Sequence, residues 1–300
     1  VSHGTGSTVP RRQLGRLLRE YRERAGVSIK DAFTYLECSY QRLWRLESGE
    51  SNVTVKTTEI ESLARFYGMP DEVTEIAVAL AKASKEIGWW QSYSSALEKW
   101  SELYVGLEAS ASRIRQFENG IIPGLLQAPA YIEAVFRAER PRVPEETLAP
   151  RIAVKQERQR LIRRFSPPPP RYEAIVSEGV LLAALDAPGA MQQQLHHLLM
   201  ANELPNVTVQ VLPLSVGPHP ASVAGGFTVL NFPPLVGGRA GEPSTVFSEG
   251  LTGALYLDRP NEVQAHEEAW KALAELAADE KQSTLMITEI LRSQGEKQHE

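Results

Sequence analysis

Apolar residues fall into two different rhythms along the chain. Leu14, Leu17, Leu18 and Tyr21 recur at i, i+3, i+4 and i+7, one stripe of an amphipathic helix that stops near Gly26. The same period predicts short helices over 30–36, 40–47 and 55–67, with Gly68 and Pro70 closing the block, and another over 71–86. Helices over 129–137 and 145–165 follow, Pro150 disturbing the early turns of the second. Beyond the stiff run Pro167–Pro170 the period changes: 172–177, 207–212, 227–232 and 244–248 are short and rich in Val, Thr, Tyr and Phe, as strands are. Helices over 192–201, 261–278 and 285–292 lie among or after them. The expected architecture is multidomain: a disordered tail (1–10), an all-α head (11–70), a helical connector (71–165) and a C-terminal α+β domain (171–293) with a small antiparallel or mixed sheet.

Composition narrows the class. At 300 residues, 42% of them hydrophobic and 23% charged, the chain has room for about two domains. No apolar run approaches the ~18 residues of a membrane span, and the N-terminus lacks the basic-then-apolar order of a signal peptide. The one cysteine, Cys38, precludes an intramolecular disulfide and fits a reducing cytoplasm; as a thiol it reads as a small buried hydrophobe. Charge is uneven: the net is +3 over 1–70, −4 over 71–136, +6 over 137–171 and −10 over 172–300. A basic head on an acidic chain can offer one face to nucleic acid without being a general polyanion binder.

The stretch Val27–Gly49, VSIKDAFTYLECSYQRLWRLESG, carries the most chemistry. Two helices of about seven and eight residues are joined by a turn of about three, with Ser39 placed to cap the second. The second helix turns Leu43 and Leu46 inward and presents Tyr40, Gln41, Arg42 and Arg45. Gln and Arg near a helix N-terminus are what reading base edges in a major groove requires. Gln41, Arg42 and Arg45 are therefore the candidates for base edges, and Ser39 and Tyr40 for phosphate. Lys30, Ser48, Lys56, Arg11, Arg12 and Arg16 are further backbone candidates. Trp44 on the same helix can stack on DNA or pack on the following helix.

From Arg11 to Gly68 the sequence resembles the XRE-type (Cro/repressor-like) helix-turn-helix regulators, through S-x-x-x-L-x-R-L-E-x-G in the third helix. That resemblance implies a structural ion pair between Arg22 and Glu47. It also marks departures: Ile29 stands where a phosphate-binding Gln is usual, Ala32-Phe33 where Leu-Ala packs, and Glu37 where the turn has Gly. A non-Gly residue in that left-handed position costs on the order of 1 kcal/mol. The rest of the chain is similar to actinobacterial WhiJ-like regulators, through GWW, EASASRIRQFENGIIPGLLQ, KQERQRLI, PNVTVQVLP, GPHP and EGLTGALYLD in that order. The resemblance implies a developmental or antitoxin-like transcriptional regulator and a small BldB-like partner protein.

Other chemistry is thin. His196-His197 diverge on a helix, and His266-Glu267-Glu268 lacks a second His at i+4, so no metal site is expected. No nucleophile elbow, P-loop or dinucleotide fingerprint occurs, so neither an enzyme nor a cofactor is expected. Trp89 and Trp90 either seal a domain junction or cage a ligand, and His219 lies in a Pro-flanked loop that can touch one. Arg151, Lys155, Arg158 and Arg163 line one helix face, as a solvated surface, a phosphate strip or a dock for an acidic partner. The expected whole is a cytoplasmic, nucleoid-associated homodimer that reads an inverted repeat in double-stranded DNA and is modulated by the partner protein. A small-ligand sensor and an interaction protein with a degenerate head are the alternatives.

Overall fold

In a computed structural model of the chain, the described residues are 8–50, 53–85, 99–139, 144–234, 241–250 and 253–296. They fall into two compact units. The first is drawn from Val1–Ser92, Glu102–Ser110 and Phe232–Glu242, the second from Tyr93–Ser101, Ala111–Asn231 and Pro243–Glu300.

The first unit is helical: α1 (Thr8–Arg24), α2 (Ile29–Tyr35), α3 (Tyr40–Ser48), α4 (Thr57–Phe66), α5 (Asp71–Ala83) and most of α6 (Lys99–Ser110). Leu14, Leu17 and Leu18 of α1 are buried with Leu43 and Leu46 of α3 and Ile60 and Leu63 of α4. α1 starts inside the stretch expected to be a disordered tail: Val9 is buried, and Pro10 needs no amide partner in a first turn. The head also runs past the expected limit at residue 70. Gly68 (φ 65°) terminates α4 but not the domain, because α5 adds Val73, Ala77, Leu80 and Ala81 to the same core. α1 and α3 touch at Gly15, where a Cβ would stand 2.6 Å from the Glu47 carbonyl oxygen.

The second unit is built on a six-stranded mixed sheet among the described residues, in the order β3-β2-β1-β4-β5-β6. Its strands are β1 (Arg113–Glu118), β2 (Arg171–Ser177), β3 (Val207–Leu212), β4 (Phe227–Asn231), β5 (Thr245–Gly250) and β6 (Gly253–Leu257). β1, β2 and β3 run parallel; β4, β5 and β6 add antiparallel steps from β1 outward. The parallel strands are joined by α7 (Pro129–Glu139) and α8 (Glu145–Gln159), then by α9 (Glu178–Leu182) and α10 (Ala190–Ala201). The chain ends in α11 (Pro260–Leu276) and α12 (Glu280–Glu296). Trp270 and Leu273 of α11 pack on Phe117, Phe227 and Val246 of the sheet.

Three expectations are corrected here. The stretch 71–165 is not a helical connector, since it contains β1, a central strand of the sheet. β1 escapes the alternation rule because two of its buried positions are Arg115 and Gln116. Arg115 Nη2 is held by Glu267 Oε1 at 2.7 Å, and Gln116 accepts from the Tyr172 hydroxyl at 2.8 Å. The proline run is likewise no domain boundary: it leads into β2 within the second unit, and Asn206 Nδ2 donates to Ile162 O ahead of it and to Pro170 O at its end. β6, mostly half-buried and starting in glycine, is a strand the sequence pattern did not mark.

Candidate nucleic-acid interface

Two serines set the ends of the helix pair. Ser28 Oγ accepts from the Asp31 amide at 3.1 Å at the start of α2, and Ser39 Oγ accepts from the Arg42 amide at 3.2 Å at the start of α3. The turn between them passes through Glu37 at φ 51°, the left-handed conformation a glycine would take without strain. α3 ends at Gly49 (φ 71°), whose missing Cβ lets the chain pass over Arg12.

α3 is fixed from behind. Leu43, Leu46 and Glu47 are buried. Arg22 Nε donates to Glu47 Oε1 at 2.7 Å and Arg22 Nη2 to Glu47 Oε2 at 2.8 Å, a two-point pair that holds α1 to α3. Arg22 also donates to Val27 O at 3.2 Å, tying α1 to the start of the helix-turn-helix. The hydrogen bonds to Glu47 raise the Arg22 pKa.

The opposite face of α3 is open. Tyr40 is 47% and Trp44 43% exposed, with Gln41 and Arg45 exposed beside them. Arg45 Nε stands 3.7 Å from Glu50 Oε2, an attraction too long for a hydrogen bond. Arg42 is placed differently: its Nη2 donates to Glu59 Oε2 at 2.7 Å and to Thr54 O at 3.2 Å, so α3 is braced against α4 through it. Trp44 is open to a ligand rather than sealed under α4. Tyr40 meets Phe33 edge-on at 6.3 Å, so Phe33, at the departure from the usual Leu-Ala pair, supports the start of α3.

The candidate phosphate contacts divide into open and engaged groups. Lys30 is exposed on α2, Ser48 is half-buried in the last turn of α3, and Lys56 is exposed 3.5 Å from Glu59. Arg11 is turned inward: it donates to Val53 O at 2.6 Å and Glu50 O at 3.4 Å, pinning the α3–α4 loop, and burial lowers its pKa. Arg12 and Arg16 converge on Glu242, at 2.7 and 2.8 Å. Glu59 and Glu242 are the residues of this site that sequence reasoning missed. Glu59 sits on one helical turn with Lys56, which could have marked it; nothing local marks Glu242.

In the second unit His219 is half-buried in the β3–β4 connection, its ring edge-on to Phe117 at 5.7 Å. Trp89 and Trp90 lie outside the described residues. The basic face of α8 is not a uniformly solvated strip. Lys155 Nζ donates to Gln127 Oε1 at 3.2 Å and lies 4.7 Å above the Phe136 ring, and burial holds its pKa down to about 8. Glu118, at the carboxyl end of β1, accepts from Gln116 Nε2 at 2.9 Å, and burial pushes its carboxyl up to about 7. Burial raises the Cys38 pKa, which leaves it a poor nucleophile. Among the described residues no helix is long and apolar enough to cross a membrane, and no three potential metal ligands come together.

Residues 13–76 match the helix-turn-helix domain family, which covers α1 through α4 and the start of α5 and supports a DNA-binding regulator. No curated protein and no solved structure matches the chain. Residues 101–289, well over half of the sequence and the whole of the sheet, match a family described as a domain of unknown function, DUF5753. The chain belongs to the DUF5753 family, with a helix-turn-helix domain ahead of it.

Proposed function

We propose that this protein is a sequence-specific, DNA-binding transcriptional regulator of the XRE type, developmental or antitoxin-like in role. The observation that carries the proposal is the two-sided character of α3: one face locked to α1 through Leu43, Leu46 and the Arg22–Glu47 pair, the other offering Tyr40, Gln41, Trp44 and Arg45. Such a helix enters a major groove with its side chains already braced. Gln41 and Arg45 take the base edges directly, and Arg42 joins them by exchanging Glu59 for a base. Ser39, Tyr40, Lys30, Ser48 and Lys56 set the register on phosphate. As a homodimer the protein would place two copies of α3 one DNA turn, ~34–36 Å, apart and read an inverted repeat. The second unit takes a small BldB-like partner protein and is not an enzyme, and the protein works in the cytoplasm on the nucleoid.

The test is enrichment of genomic fragments by the purified protein, then fluorescence anisotropy on the enriched duplex with wild type and Arg45→Ala at ~150 mM salt. Arg45→Ala is expected to lose ~1–3 kcal/mol, or roughly 5–150-fold in affinity, and to relax selection at one base position. Equal affinity of the two proteins would remove Arg45 from base reading. Failure of both to enrich any site would favour the interaction-protein reading, which the left-handed Glu37 motivates. A ligand-sensing role draws on Glu118 and Lys155, two ionisable groups buried in one domain. Native mass spectrometry of the purified protein tests it, since a bound metabolite would add a fixed mass.

A further inference from the structure

Arg12 and Arg16 are four residues apart and so lie one above the other on α1. Both reach the same oxygen of a residue far along the chain. Arg12 Nε is 2.7 Å and Arg16 Nη2 2.8 Å from Glu242 Oε1, while the Glu242 side chain is completely covered. Glu242 ends the segment Phe232–Glu242, which belongs to the first unit although the chain enters it from β4 and leaves it into β5. Next to Glu242, Gly241 packs against Pro233 so closely that any Cβ would collide with the Pro233 carbonyl oxygen.

The place is specific. Gly49, the C-cap of α3, passes directly over Arg12: a Cβ there would stand 2.7 Å from the Arg12 Cα. Arg11 next to it holds the α3–α4 loop through Val53 O. The paired arginines thus flank the far end of the helix that carries the base-reading candidates. Two guanidinium groups converging on one anionic oxygen is also the arrangement by which arginines hold a phosphodiester.

We propose that Arg12 and Arg16 form a phosphodiester-binding site on α1, and that Glu242 is its built-in competitor. The inference rests on the DNA-binding reading above and goes beyond it, by assigning a carboxylate of this chain to the place of a DNA phosphate. Backbone phosphate and the Glu242 carboxylate exclude one another. DNA binding therefore displaces Glu242 from the two arginines, and retention of Glu242 there weakens DNA binding.

The experiment compares wild type, Glu242→Gln, Arg12→Gln/Arg16→Gln, the triple variant and Arg45→Ala on the enriched duplex and on a random duplex, over a salt series. Glu289→Gln, an exposed site on α12, controls for the loss of one negative charge. Glu242→Gln is expected to bind both duplexes about five-fold tighter or more. Its salt slope should steepen by about one, at ~0.9 for the one phosphate engaged. Glu289→Gln should bind as wild type does. The double arginine variant should weaken binding and flatten the slope, and in that background Glu242→Gln should change nothing. Wild-type affinity in Glu242→Gln, with Arg45→Ala still impaired, would overturn the competitor and leave the DNA-binding reading standing. A double arginine variant with the wild-type slope would overturn the phosphate site even if Glu242→Gln did not fold. Absence of any binding by wild type and Glu242→Gln alike would sink both readings together.

Discussion

The first unit meets the buried Glu47 carboxylate with Arg22 at 2.7 and 2.8 Å, whereas the second gives Glu118 a neutral partner, the Gln116 amide. Lys155 in the same domain hydrogen-bonds another amide, Gln127. In the helical head two carboxylates are met by opposite charge, and the matching ties one helix to another: Arg22 with Glu47 joins α1 to α3, and Arg42 with Glu59 joins α3 to α4. At Glu118 and Lys155 in the sheet domain desolvation outweighs these neutral partners, so both pKa values are displaced toward neutral pH. The head uses charge to fix a geometry. At Glu118 and Lys155 the sheet domain holds charge whose state changes within the range of ordinary pH.

Removing a partner from the head should show the largest effect. Glu47→Ala leaves Arg22 facing a buried gap, at ~3–5 kcal/mol. Urea unfolding should show that loss, with the enriched duplex no longer bound because α3 is no longer braced. A loss below ~1 kcal/mol would mean that packing alone sets the angle between α1 and α3.

The pH response of the second unit should come next in size. Glu118 has a folded pKa of about 7 against an ordinary 4.5, so the folded state takes up its proton first. Its contribution to stability is full below about 4.5 and is lost as pH rises through about 7, on the order of 3 kcal/mol. Lys155 works with the opposite sign. Its folded pKa of about 8 lies below the ordinary 10.5, so its contribution is present above 10.5 and is lost as pH falls through about 8. From these two groups the sheet domain should be least stable between about pH 7 and 8. Amide hydrogen exchange along β1 should follow that minimum, and Glu118→Gln should remove its acid side while leaving the basic side. An unchanged acid limb in the variant would assign it to another group.

The smallest effect belongs to the turn. Glu37→Gly relieves the left-handed strain at φ 51° and should stabilise the head by roughly 0.5–1 kcal/mol, the gain reduced by the freedom glycine adds to the unfolded chain. Thermal melting would read it. Should DNA affinity rise with it, the departure at Glu37 limits function as well as stability.

Most of the head was legible in the order of residues. The stripe Leu14, Leu17, Leu18, Tyr21, the cap Ser39 and the stop at Gly49 each act within a few residues, so their consequences can be read locally. Glu37 was legible for the same reason: a turn that short leaves its middle residue one conformation. β1 was not, because both of its faces are buried and each carries a polar residue, Arg115 or Gln116, which is paired only when Glu267 and Tyr172 arrive from elsewhere in the chain. Pro167–Pro170 misled for a related reason, since a proline run dictates stiffness and says nothing of which domain it serves.

The helical head, the outward face of α3, four of the six strands among the described residues and the class of chemistry at the candidate interface all follow from the order of residues. These rest on period, capping and residue type, which are local. Three features come into being only on folding: the central place of β1 in the sheet, the engagement of Arg42 by Glu59, and the closing of Arg12 and Arg16 on Glu242. Each of those joins residues far apart in the chain, the last across 226 positions. An interaction over that separation leaves no trace in the local pattern, because what stabilises it is the burial and pairing that folding itself creates.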